Sequence, residues 1–269
     1  GATGNFIGAA LALRNVISGN TSDGVVIQGT GTSGNSVNGN YIGLNATGNA
    51  AIPGQNEGVS IEAGASSNFV GGTQSFERNV ISGNVRGVMV EGTGTSGNVV
   101  RRNYIGTNSN GNAAIGNSFS GIQVISGASN NMIGGAGAGE GNVISGNGAG
   151  LIIRDAGTNG NSVLGNYVGL DAAGAAAVGN TSTAVAIHAG ASNNIVGGPL
   201  SGQRNVISGN GSTGLLVQGN GTNGNVVQGN YVGTNAAGTA AVGNAGGGVC
   251  ICIGGASGTV LYGAGDLGN

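Results

Sequence analysis

The chain has 269 residues, of which 63 are glycine and two proline, with 6% charged side chains, 3% aromatics, no Trp and a formal net charge of −2. Glycine at this level without proline or a Gly-X-Y period excludes collagen, and regularly spaced Val and Ile exclude a disordered chain. All seven basic residues are Arg with no cluster beyond Arg101-Arg102, and no apolar run reaches about 18 residues, so nucleic acid and a membrane span are both disfavoured.

Three kinds of apolar segment follow one another along the chain and then recur. The first is an Asn-x-Val phrase, which aligns Ile7, Val37, Val70, Val100, Ile133, Val163, Val196, Val227 and Leu261. Two residues before each stands a file of Asn5, Asn35, Asn68, Asn98, Asn131, Asn161, Asn194 and Asn225, ended by Thr259. The second contains NVISGN, which starts at Asn15, Asn79, Asn142 and Asn205, at spacings of 64, 63 and 63 residues. Counting back from its corner aligns Ile17, Ile52, Ile81, Ile115, Ile144, Val178, Ile207 and Val242. The corner itself is Asn20, Gln55, Asn84, Asn117, Asn147, Asn180, Asn210 and Asn244. The third is GVxI, with inward pairs Val25/Ile27, Val59/Ile61, Val88/Val90, Ile122/Val124, Leu151/Ile153, Val185/Ile187, Leu215/Val217 and Val249/Ile251. Its coil starts are separated by 34, 29, 34, 29, 34, 30 and 34 residues.

Alternating β-branched residues bounded by Gly, Asn and Ser predict short strands, and no window keeps a helical period. Three strands per coil, each falling on its counterpart one coil later, predict an all-β fold: a right-handed, single-stranded parallel β-helix of about eight coils of alternating 34 and 29 residues. The reading is one domain over 1–269, made of four 63-residue repeats and a partial fifth. Asn tolerates the corner conformation while its amide can donate and accept along a column, so both Asn files are expected to be structural ladders.

The NVISGN, GNYIG and NxVGG phrases resemble those of parallel β-helix repeat proteins found among secreted and surface-attached bacterial proteins, over essentially the whole chain. The resemblance implies a fold and an extracellular or cell-surface setting, but one scaffold of this kind carries polysaccharide lyases, glycosidases, epimerases, adhesins and ice-binding proteins. Function must therefore come from a site.

Candidate sites are few. Glu62 and Glu91 fall on neighbouring coils in an outward column with Gln28, Ile125, Arg154, His188, Gln218 and Cys252, roughly 5 Å apart, close enough to raise a pKa or hold a cation, and they are weak candidates for contact with a glycan. Tyr41, Tyr104, Tyr167 and Tyr231 occur once per long coil, either as a stacking platform for glycans or partly buried under the long-coil loop. Thr32, Thr95, Thr158 and Thr222 line up in alternate coils, a weak pattern for ice binding. His188 is assigned no role; neither a catalytic group, a metal site nor a cofactor is expected. Cys250 and Cys252 sit two apart on one strand, where a disulfide is not readily closed, and are read first as small buried apolar residues, with a bond to another chain as the alternative and metal binding behind it. NxS/T triplets stand at Asn20, Asn45, Asn180, Asn210 and Asn220.

A second outward column, Val26, Ser60, Met89, Gln123, Ile152, Ala186, Leu216 and Cys250, puts a sizeable apolar side chain on every second rung. Val26, Met89, Ile152 and Leu216 are candidates for self-association, unless a loop covers them. The first residue is Gly, pointing to a processed chain or an excised segment, and the opening GATGNFIG and closing GASGTVLYG both match the internal GASNNIVGG, so the end rungs are expected to accept further rungs. The resulting expectation is a non-enzymatic extracellular structural protein that assembles with copies of itself, end to end or laterally, into a filament or surface layer. The alternatives are a module that binds or modifies an extracellular polysaccharide, and an adhesin spacer.

Overall fold

A computed structural model describes residues 1–8, 14–252 and 255–262. The chain winds into a solenoid of stacked coils whose strands form three parallel sheets. The Asn-x-Val sheet has nine strands, from Phe6–Ile7 to Val260–Tyr262; the NVISGN sheet has eight, from Val16–Ile17 to Tyr231–Val232; the GVxI sheet has eight, from Val25–Gln28 to Val249–Ile251. Most strands of the first two sheets are only two residues long, because corner glycines in left-handed conformation end them at once. Gly83, at φ 80°, makes such a turn directly after a buried Ser82.

Register follows the alternation of side chains. Val25 pairs with Val59 and Ile27 with Ile61, and the same pairing continues up the GVxI sheet to Val249 and Ile251. Ile7, Val37 and Val70 begin the corresponding column of the Asn-x-Val sheet, which ends at Leu261. These columns meet in one continuous apolar core in which Val37, Ile61, Ile133 and Ile153 have no exposed surface. Each such side chain contributes about 1.5–3 kcal/mol by leaving water.

The third column differs from the expected one in every long coil. Ile17 pairs with Ile42 and Ile42 with Ile81, and the series continues through Ile105, Ile144, Val168 and Ile207 to Val232. The long-coil strand is therefore the YI of GNYIG, not the segment holding Ile52, Ile115, Val178 and Val242. Those four lie just past an inserted flap, whose legs meet in antiparallel bridges Leu44↔Ala51, Thr107↔Ala114, Leu170↔Ala177 and Thr234↔Ala241. Ile52 donates its N–H to Gly43 O at 2.8 Å and is 39% exposed. The insertion falls between strand and corner, so counting back from the corner stops short of the strand.

Flaps of successive long coils touch. Ser109 N–H donates to Gly48 O at 2.9 Å, Ala172 N–H to Gly111 O at 2.8 Å and Ala236 N–H to Gly174 O at 2.8 Å. Beneath them Tyr41, Leu44 and Val80 form a small second core, with Tyr104 and Ile115 packed against it.

Two further expectations are corrected. Cys250 and Cys252 are joined by a disulfide; they occupy outward positions, half-exposed, and their Cα atoms are 5.5 Å apart, within the ordinary reach of the bond. The threonines do not form a surface row: Thr32, Thr95, Thr158 and Thr222 are buried, and Thr95 Oγ1 donates to Glu91 O at 2.7 Å while accepting from Gly64 N–H at 3.0 Å.

Candidate functional site

Asparagine ladders run along the corners. In the corner file Asn84 Nδ2 donates to Asn117 Oδ1 at 3.0 Å, Asn117 to Asn147 at 2.9 Å and Asn147 to Asn180 at 3.0 Å, and the chain of amides extends from Asn20 through Gln55 to Asn210 and Asn244. The second file links Asn5, Asn35, Asn68, Asn98, Asn131, Asn161, Asn194 and Asn225 in the same way. A third ladder, not expected from the sequence, joins Asn15, Asn40, Asn79, Asn103, Asn142, Asn166, Asn205 and Asn230. Its members precede the strand residues of the NVISGN sheet, so aligning NVIS with NYIG reveals them. In all three ladders each amide donates toward the following coil. Asn180 and Asn210 are buried within the first ladder, which removes them as glycosylation acceptors in the folded chain.

Tyr41, Tyr104, Tyr167 and Tyr231 lie on the outer side of the NVISGN sheet, whereas Glu62 and Glu91 lie on the GVxI sheet. The six weak glycan candidates thus do not converge on one site. Three of the four rings carry an arginine one coil earlier: Arg14 sits 3.8 Å from the Tyr41 centroid, Arg78 4.1 Å from Tyr104 and Arg204 3.9 Å from Tyr231. The flap closes on these rings as well, since a Cβ on Gly48 would meet the Tyr41 ring at 2.7 Å. These Arg–Tyr stacks were missed in the sequence, where Arg stands just before NVISGN at Arg14, Arg78 and Arg204.

On the GVxI sheet Glu62 and Glu91 are direct register partners. Glu62 accepts from Ser60 Oγ at 3.0 Å. Burial, and then the Glu62 charge, push the Glu91 carboxyl above its ordinary pKa. A stronger cluster stands at the start of the same strands. Glu57, 7% exposed, has its backbone N–H on Asp23 Oδ1 at 3.1 Å and accepts from Arg86 Nη1 at 2.6 Å. Burial and the Asp23 carboxylate raise its pKa from 4.5 to about 7, against the pull of Arg86. Further along, His188 pairs with Arg154, and burial together with that arginine lowers its pKa. No group of three or more potential metal ligands occurs among the described residues.

The apolar column lies on the same outer face. Val26, Ser60, Met89, Gln123, Ile152, Ala186, Leu216 and Cys250 are consecutive register partners. Val26 is 44% exposed, and Met89, Ile152 and Leu216 are half-exposed, while Ser60, Gln123 and Ala186 are buried between their larger neighbours. The column is therefore a series of apolar ridges separated by troughs. Among the described residues no helix is long and apolar enough to cross a membrane.

Comparison with protein-family models gives no match. Comparison with curated proteins gives no significant match.

Proposed function

We propose that this chain is a non-enzymatic, extracellular structural rod that packs face to face against a second copy of itself, the lateral contact from which a filament or surface layer is built. The carrying observation is the ridged apolar stripe Val26, Met89, Ile152, Leu216. Its ridges repeat every second rung, about 9.6 Å, with buried Ser60, Gln123 and Ala186 in the troughs. A second copy turned end for end about an axis along the strands, so that the Val26 rung faces the Cys250 rung, lays ridges into troughs. The same reversal places Glu91 opposite the partner's His188 and one rung from its Arg154. Such a contact is isologous and self-complementary in shape.

Composition supports this reading: 6% charge and no Lys leave little electrostatic resistance to association. The extracellular setting rests on the resemblance of the repeat phrases and accords with the Cys250–Cys252 disulfide. Light scattering across a concentration series, with electron microscopy of the same samples, tests the proposal. Paired or longer assemblies are expected for the parent chain, and Met89→Glu or Ile152→Glu is expected to yield single rods with an unchanged melting curve. Single rods of the parent chain at every concentration would refute the pairing.

A further inference from the structure

Two departures from the repeat meet at one place on the NVISGN sheet. Where three repeats carry Arg14, Arg78 and Arg204 ahead of NVISGN, the third carries Gly141, so among the described residues Tyr167 has no guanidinium over its ring. Where three repeats carry Gly39, Gly165 and Gly229 ahead of the long-coil Asn-Tyr, the second carries Arg102. Those glycines adopt φ of 73°, 70° and 66°, and Arg102 is held at 58° in the same left-handed region, a conformation unfavourable for a residue with a side chain.

Both substitutions line a single cavity of about 210 Å³, bounded by Arg78, Arg102, Tyr104, Gly141, Gly165 and Tyr167. Arg78 and Arg102 differ from their fellow arginines. Arg86 and Arg101 are paired with Glu57 and Glu140, and Arg14 and Arg204 donate Nε to Gly39 O at 3.3 Å and Gly229 O at 3.1 Å, whereas Arg78 and Arg102 have no carboxylate partner among the described residues and their buried Nε groups have no acceptor, a lack that only the carboxylate-paired Arg86 and Arg101 share. Burial, with Arg102 adding to it against the pull of Tyr104, lowers the Arg78 pKa, so the two cations sense one another across the cavity. Unpaired buried donors and like charges facing one space call for an anion.

We infer that this cavity is a binding site for an acidic sugar, a pyranose ring bearing a carboxylate, with the ring seated on the bare Tyr167 face and the carboxylate gripped by Arg102 and Arg78. Guanidinium forks match a carboxylate in geometry as well as in charge. The volume is below that of pockets for drug-sized ligands, which suits one ring and not an enclosed chain. The site goes beyond the self-association proposed above and is independent of it, because it lies on a different sheet from the apolar stripe.

Titration calorimetry and NMR with galacturonate and its short oligomers, against galactose and inorganic sulfate, test the inference. Saturable binding of the uronate is expected, with galactose and sulfate each weaker by about tenfold or more. Arg102→Gly restores the repeat and relieves the left-handed strain, so it is expected to melt at the same or a higher temperature while weakening the uronate about tenfold or more. Tyr167→Leu is expected to weaken the uronate and leave sulfate unchanged. Absence of saturable uronate binding, equal binding of galactose, or unchanged uronate affinity in a folded Arg102→Gly chain each overturns the site. Sulfate binding as tight as uronate would reduce it to a simple anion site and overturn the sugar.

Discussion

Glu57 is buried between Asp23 and Arg86, and its carboxyl is raised from 4.5 to about 7. Between those two values the folded chain holds a proton that the unfolded chain has released, so folding is favoured by low pH. The contribution is fully present below about 4.5 and is lost as pH rises through about 7. Melting curves followed by circular dichroism are therefore expected to fall from pH 5 to pH 8, by up to about 3 kcal/mol in stability. Glu57→Gln should remove most of that slope. An unchanged slope in the variant would place the titration elsewhere, with Glu91, raised in the same direction, the next group to change. Individual acids of this kind were hard to value in the sequence, because Asp23, Glu57 and Arg86 are brought together only by coil stacking.

At the scale of the element, each ladder is a column of amides that uses nearly every donor and acceptor it has. Asn142 donates from Nδ2 to Val100 O at 2.8 Å and to Asn166 Oδ1 at 2.9 Å, while its own Oδ1 accepts from Asn103 N–H at 2.9 Å and Asn103 Nδ2 at 3.1 Å. Asn142→Ala leaves several of these groups buried without partners, a loss of about 3 kcal/mol or more. Asn244→Ala, at a half-exposed end of the corner ladder, leaves groups that water can reach and should cost about 1 kcal/mol. Chemical denaturation of the two variants checks the ranking. Equal losses would mean that the ladders are incidental to stability.

Two of the three strand columns and two of the three ladders were legible in the letters, because the GVxI and Asn-x-Val segments keep a constant distance from their own corner residues. The NVISGN column was not, since the flap in alternate coils breaks that distance between Ile42 and Gln55. Matching the Asn two places before Ile17 to the Asn two places before Ile42 would have recovered both the strand and the third ladder. Burial on the outer GVxI face was also hidden: Ser60 and Gln123 read as exposed polar residues, yet larger neighbours above and below enclose them.

For the molecule as a whole, the flap contacts make two coils the repeating unit, since Ser109 meets Gly48, Ala172 meets Gly111 and Ala236 meets Gly174 across a short coil each time. Excision of residues 79–141, 63 in number, joins Arg78 to Asn142 and restores the RNVISGN phrase. That shortened chain is expected to fold with a cooperative melt close to the parent's, about 10 Å shorter. Excision of residues 87–120, a single coil of 34, removes one flap from the stack and should melt markedly lower. A failure of the first deletion with success of the second would overturn the pairing of coils as the structural unit. The same rule constrains ancestry: a gene encoding such a chain can lengthen or contract by unequal crossover only in even quanta, so lineages carrying it should differ in span by whole pairs of turns.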